Sequence, residues 1–195
     1  MQENPVTLRP LTVDDLPLIE RWLSDPRVAE WWSDDPAGEL ADIENELRTD
    51  GSTVYRIAQL GERPIGLVFR YRIDDYIEYL DDLAAARVEL PPDAWSMDYL
   101  LGESDVVGQG FGAAMVRAAC DELWASAATA SCVLVPVHAD NLRSWRALQR
   151  SGFARVPGVF EMEPDTAAHD GRHVIYSLRR PTSSSPSHHR GCSRE

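Results

Sequence analysis

The chain has 195 residues, 44% of them hydrophobic and six of them tryptophan, enough for one substantial core and too few for several domains. Nineteen basic side chains against 32 acidic ones leave a formal charge of −13 at pH 7, which disfavours sequence-independent nucleic-acid binding and favours a cationic small-molecule partner, although solubility alone would also account for it. Cys120, Cys132 and Cys192 are few, odd in number and far apart, so neither a disulfide framework nor a zinc site is indicated; with no basic-then-apolar leader and no run of about 18 apolar residues, a soluble, cytoplasmic protein without a metal is expected.

In chain order, a strand is predicted over Val6 to Arg9, and Thr12-Val13-Asp14-Asp15 then reads as a helix start, with Leu16, Ile19 and Leu23 spaced for one buried face. Pro36 begins a second helix with Leu40, Ile43 and Leu47 on one side. Between them lies Glu30-Trp31-Trp32-Ser33-Asp34-Asp35, whose aromatic faces suit sugars and cations; one tryptophan is expected in the core and the other in a cleft. Val54 to Gln59 and Ile65 to Tyr71 flank Gly61-Glu62-Arg63-Pro64 as a hairpin. From Asp74 to Asp93 seven carboxylates accompany a single basic residue, Arg87, which reads as a partly helical acidic insertion: a cation-collecting rim or merely a solvated face.

Asp98 interrupts the apolar strand Trp95 to Leu101, where a carboxylate is costly unless paired or used; partial burial would raise its pKa and suit it to accept a proton from an ammonium group. Val106-Val107-Gly108-Gln109-Gly110-Phe111-Gly112 follows and runs into a helix over Ala113 to Trp124. Alternate glycines and a helix N-terminus make a cradle for a pyrophosphate, although an ordinary strand-to-helix turn shares these features. The glycine spacing does not fit a dinucleotide-binding βαβ unit. Cys132 to Val137 is a further strand, and His138 at its end reads as a cap more readily than as a proton-transfer residue. Phe153 to Glu161 and His173 to Leu178 close the sheet around a polar connection, Pro164 to Arg172; the domain is expected to span 1–180, with Pro181 to Glu195 a disordered tail.

The ordered set of pre-loop strand, glycine loop, helix, strand, and Asp140-Asn141-Leu142-Arg143-Ser144-Trp145 through Ser151-Gly152-Phe153 resembles the GNAT superfamily of acetyl-CoA-dependent N-acyltransferases. The resemblance implies an α+β fold with a mostly antiparallel mixed sheet, splayed between two parallel strands and flanked by about four helices. Within the superfamily, Glu30-Trp31-Trp32 and Asp98 together resemble the aminoglycoside 6′-N-acetyltransferases, and the likeness runs from about Val6 to Leu178. It implies acetyl-CoA as cosubstrate, an aminoglycoside amine as acceptor, and a monomer or homodimer. Asp98 would be base and substrate anchor, with Trp31, Trp32 and Asp170 contacting the drug. Val107, Gly108, Gln109, Gly110, Phe111 and Gly112 would hold the pyrophosphate, Asn141 would touch the cofactor, and a backbone N–H near Leu100 or Leu101 would face the thioester oxygen.

Two features depart from that pattern. Val135-Pro136-Val137-His138 lacks the Asp-Pro pair of many relatives, and Leu148 stands where a tyrosine often lies near the CoA sulfur, leaving Tyr176 or water as substitutes. Other readings compatible with the sequence are a GNAT acting on protein N-termini or on a siderophore hydroxylamine, and a non-catalytic module that binds CoA or a drug.

Overall fold

The computed structural model describes residues 5–49 and 51–181, so nearly all of the expected tail lies outside the described residues. Among the described residues eight strands form one sheet in the order β1-β2-β3-β4-β5-β8-β6, with β7 pairing β8. They are β1 (Val6–Pro10), β2 (Val54–Leu60), β3 (Arg63–Arg72), β4 (Ala94–Leu101), β5 (Cys132–His138), β6 (Ala154–Arg155), β7 (Phe160–Glu161) and β8 (Arg172–Arg179). Every pairing is antiparallel except β4 with β5.

Among the described residues six α-helices accompany the sheet: α1 (Leu16–Leu23), α2 (Pro26–Trp32), α3 (Pro36–Thr49), α4 (Ile77–Ala85), α5 (Phe111–Ser126) and α6 (Leu142–Arg150). The two beyond the expected four are short. α2 exists because Asp25 caps it, accepting from Arg27 N at 2.9 Å, and Pro26 supplies a preset φ at its first turn. α4 is the helical part of the acidic insertion.

Strand alternation divides the core into two layers. On one face Met115, Val116, Ala119 and Leu123 of α5 pack with Val68, Met97 and Val133. On the other, Ile19, Trp22 and Leu23 of α1 and Ile43 of α3 cover Ile57, Leu67 and Leu100. Among the described residues no helix is long and apolar enough to cross a membrane.

Phe153 to Glu161 does not form one continuous strand. Only its ends pair with β8, because Pro157 has no N–H to donate and Gly158 sits at φ 127°, which breaks the ladder between them.

Candidate active site

β4 and β5 pair at only two positions, Ala94 with Cys132 and Trp95 with Val133, and then separate. Pro136 is one reason. Ala139 N–H donates to Arg172 O, and antiparallel alternation from that bond turns the backbone of Val137 and Val135 toward β8 and that of Pro136 toward β4. At the first position beyond Leu134 where β5 would donate across, it has no donor.

The same reasoning assigns the free groups of β4. Gly102 N–H donates to Ile65 O, so Leu100 and Asp98 spend their backbone groups on β3, whereas Leu101, Tyr99 and Met97 turn theirs toward the gap. Leu101, rather than Leu100, therefore offers the N–H expected to meet a thioester oxygen. Its carbonyl is taken by Arg27, whose guanidinium donates to Leu101 O at 2.9 Å and Gly102 O at 3.0 Å.

The gap encloses a cavity of about 210 Å³, walled by Met97 to Leu101 on one side and Val135 to His138 on the other. Asn141 and Ser144 of α6 close it; Asn141 Oδ1 caps that helix by accepting from Ser144 N at 3.1 Å. Tyr99 also borders this cavity, with its hydroxyl 2.6 Å from Ser144 Oγ. Leu148 and Tyr176 are both fully buried, and the Tyr176 hydroxyl accepts from Gln149 at 3.0 Å, away from the gap. Tyr99 is thus the tyrosine that borders the gap, and Tyr176 is enclosed in the core.

A second cavity, of about 280 Å³, adjoins the first on the α2–α4 side of β4, and Trp31, Trp32, Asp98, Pro136 and Asp165 border both. Its wall carries five carboxylates, Glu39, Asp82, Asp98, Glu163 and Asp165, together with Tyr71 and Tyr79. None of the five is ion-paired to an arginine among the described residues; Asp165 lies 3.8 Å from His173 Nε2. Burial pushes the Asp98 carboxyl up to about 7, the charges of Asp165 and Glu39 push the same way, and a hydrogen bond from Tyr71 opposes them. Burial likewise raises Glu39, against hydrogen bonds from Trp32 and Ser33. Excess negative charge held in a partly dry cleft favours a cation there.

Both tryptophans serve the cleft. Trp32 packs edge-on to Phe69 at 6.0 Å and rests on the α1–α3 core, and still borders both cavities. Trp31 stacks on His169 at 4.3 Å. His138 is 6% exposed and borders the first cavity: Asp140 N–H donates to its Nδ1, so the neutral ring carries its proton on Nε2, 3.1 Å from Asp170 Oδ1.

Asp170 itself borders neither cavity. Its carboxylate takes the Arg172 side chain at 2.7 Å and the Arg172 N–H at 3.1 Å, bonds that hold its pKa down to about 2. It reaches the site only through His138. Asp165 occupies the cleft instead, and neither it nor Glu39 was singled out by sequence. Glu39 had a signal, since it precedes Ile43 by one turn and so flanks the buried face of α3; Asp165, in an aperiodic connection, had none.

In the glycine loop, Gly108 and Gly110 have φ of 82° and 91°, and a Cβ added at either would meet nothing within 4 Å. Handedness, not space, demands glycine there. Gly110 is the N-cap of α5 with no side-chain cap, which leaves first-turn N–H groups of that helix open to an anion. Val107, Gly108, Gly110 and Gly112 border a third cavity of about 290 Å³. Gln109 and Phe111 do not: the Gln109 amide folds back on Asp105 O, and Phe111 packs on the α5 core, so they shape the loop from outside the cavity. Gly110→Ala is expected to cost about 1–2 kcal/mol in the left-handed region and to weaken CoA binding, as read by titration calorimetry; unchanged affinity would count against this loop as the cradle.

Among the described residues no group of three or more His, Cys, Asp or Glu could hold a metal ion. The groups present fit CoA: open helix N–H donors for a pyrophosphate, and a strand edge with free backbone groups for an extended arm.

Comparison with known proteins places these features in a family. Residues 12–160 match the acetyltransferase (GNAT) domain. The chain is 30% identical over 158 residues to aminoglycoside N(6′)-acetyltransferase type 1 of Klebsiella pneumoniae, and equally to that of Serratia marcescens, covering 78% of this chain and 75% of each relative. Among solved structures, AAC(6′)-Ib with ribostamycin and coenzyme A superposes with a TM-score of 0.70 at 25% identity, over 93% of this chain and 99% of that one. AAC(6′)-Ib with coenzyme A and kanamycin gives 0.69 at 26%, over 90% and 95%. Fold, glycine loop and splayed strands agree with this match, and the chain belongs to the GNAT acetyltransferase family, whose members use acetyl-CoA.

Proposed function

We propose that the protein acetylates a primary amine of a cationic aminosugar, foremost the 6′-amine of aminoglycoside antibiotics. The observation that carries this reading is the cavity in which four other carboxylates and two tryptophans surround Asp98 at the point where the strand gap opens. A polyamine with sugar rings satisfies both features, since ammonium groups neutralise the carboxylates and the indoles cover ring faces. The relatives' names favour the same acceptor.

In this reading the thioester arm lies along the free edge of β4 and the amine enters from the acidic side. Asp98, with a pKa near 7, takes one proton from the ammonium. The neutral nitrogen attacks the thioester carbon and the carbonyl oxygen gathers charge toward Leu101 N–H. The C–N bond forms, the C–S bond breaks, the amine's second proton goes to solvent, and the thiolate leaves. Bringing both reactants to one opening makes the attack effectively unimolecular and lowers its barrier.

The test is CoA release from acetyl-CoA with kanamycin, tobramycin and gentamicin beside a peptide amine and N-hydroxylysine, with the acetylated nitrogen located by mass spectrometry. Turnover at the 6′-amine supports the proposal, and turnover of only the other amines overturns it. Asp165→Asn is expected to raise KM for the drug about tenfold, the loss of roughly one charge-assisted bond, with kcat changed far less. Equal losses in kcat and kcat/KM would instead put Asp165 in the chemical step.

A further inference from the structure

All 19 basic residues of the chain are arginine, and in so acidic a protein most described ones are claimed by carboxylates. Arg9, Arg21, Arg27, Arg48, Arg56, Arg63, Arg70, Arg72 and Arg172 are each ion-paired. Arg143, Arg146 and Arg150 are exceptions: their guanidinium groups have no hydrogen-bond or ion-pair partner among the described residues. Spaced three and four apart, they share one face of α6, and all three border the cavity that the glycine loop opens.

Their order along the helix matters. Arg143 borders both the strand-gap cavity and the loop cavity, whereas Arg146 and Arg150 border only the latter. Arg143 to Arg150 spans about 10 Å at the α-helical rise. Coenzyme A has the same order, thiol arm, diphosphate, then an adenosine bearing a 3′-phosphomonoester. A diphosphate seated at the open N–H groups at the start of α5 would leave the outer arginines facing the anion beyond it.

We infer that Arg146 and Arg150, with Arg143 as a bridge to the diphosphate, form a second phosphate subsite that recognises the 3′-phosphomonoester of the cosubstrate. A dianionic monoester suits forked guanidinium donors. A local basic strip also answers the −13 charge, which would otherwise repel an anionic cosubstrate. The inference rests on acetyl-CoA use and is independent of which amine is acetylated.

The test is calorimetric titration of the intact protein with CoA and with 3′-dephospho-CoA, at low and at high salt. Wild type is expected to bind CoA at least about tenfold more tightly, a gap of about 1.4 kcal/mol that narrows with salt. In the variant carrying Arg146→Gln and Arg150→Gln, CoA affinity should fall to that for dephospho-CoA, whose own affinity stays within about twofold. Both substitutions are at exposed helical positions, and the unfolding midpoint checks that the variant folds. Equal wild-type affinities, or equal weakening of both nucleotides in the variant, would overturn the subsite. If neither nucleotide binds wild type, acetyl-CoA use falls and the subsite with it.

Discussion

Replacing Asp98 with asparagine is expected to lower kcat by at least about 100-fold, the usual worth of a positioned proton acceptor, while acetyl-CoA binds as before. The pH dependence carries the sharper information. With its carboxyl near 7, Asp98 is mostly ionised only above that value, so wild-type kcat/KM, which follows the free enzyme, should rise through about pH 7, and Asp98→Asn should lack that limb. A preserved limb with unchanged kcat would remove Asp98 from proton transfer.

Stability should move the other way. The fold raises the Asp98 pKa from 3.8 to about 7, so its favourable contribution is complete below pH 3.8 and lost as pH rises through 7. At pH 8 the native protein holds a costly anion, and Asp98→Asn is expected to gain up to about 4 kcal/mol. A thermal midpoint that increases at pH 8 but not at pH 4 would confirm that the site stores this strain; the same midpoint at both pH values would contradict it.

The largest expected loss of stability lies behind the sheet. Glu122 of α5 accepts from Arg56 Nε at 2.8 Å and from Arg70 at 3.0 Å, and Arg70 is only 3% exposed. Arg70 Nε has no hydrogen-bond partner among the described residues, so Glu122 is what compensates that charge. Glu122→Ala should cost about 3 kcal/mol and lower Tm by about 6–12 °C. Adding Arg70→Met should recover most of the loss, because a buried pair is harder to break than to replace; no recovery would assign the cost to packing. Burial works to raise the Glu122 pKa, but bonds from Arg56 and Arg70 outweigh it and hold it below 4.5. The contribution is therefore present above that value and lost as pH falls through the depressed one.

The features legible from sequence are those whose cause is local. Gly108 and Gly110 announce themselves because only glycine accepts their φ, and Asp98 because a carboxylate breaks a strand's apolar pattern. α2 was missed because it is seven residues long and depends on one Asp25-Pro26 cap, too short for periodicity to register. Asp165 was missed for a different reason. The segment after Pro164 is fixed by contacts over more than a hundred residues, Ala167 N–H to Asp34 and His169 to Glu30 O at 2.8 Å, which lay it across α2. Asp170, read from a local Asp-Gly, instead closes a local turn with Arg172.

Asp98 and Tyr99 are consecutive on one strand, so the pleat sends one side chain to the acidic cavity and the next to Ser144. β4 thereby acts as a partition with a single window. Asp98 and Asp165 border the strand gap together with Val107, Gly112 and Arg143, whereas Glu39, Asp82 and Glu163 share no cavity with the glycine loop or the α6 arginines. On the proposed reading, substitutions at Glu39, Asp82 or Glu163 reshape which amines are accepted without touching cosubstrate affinity, since sites this separate contribute additively. Acceptor range can therefore drift by single steps, each leaving the acyl donor's seat intact.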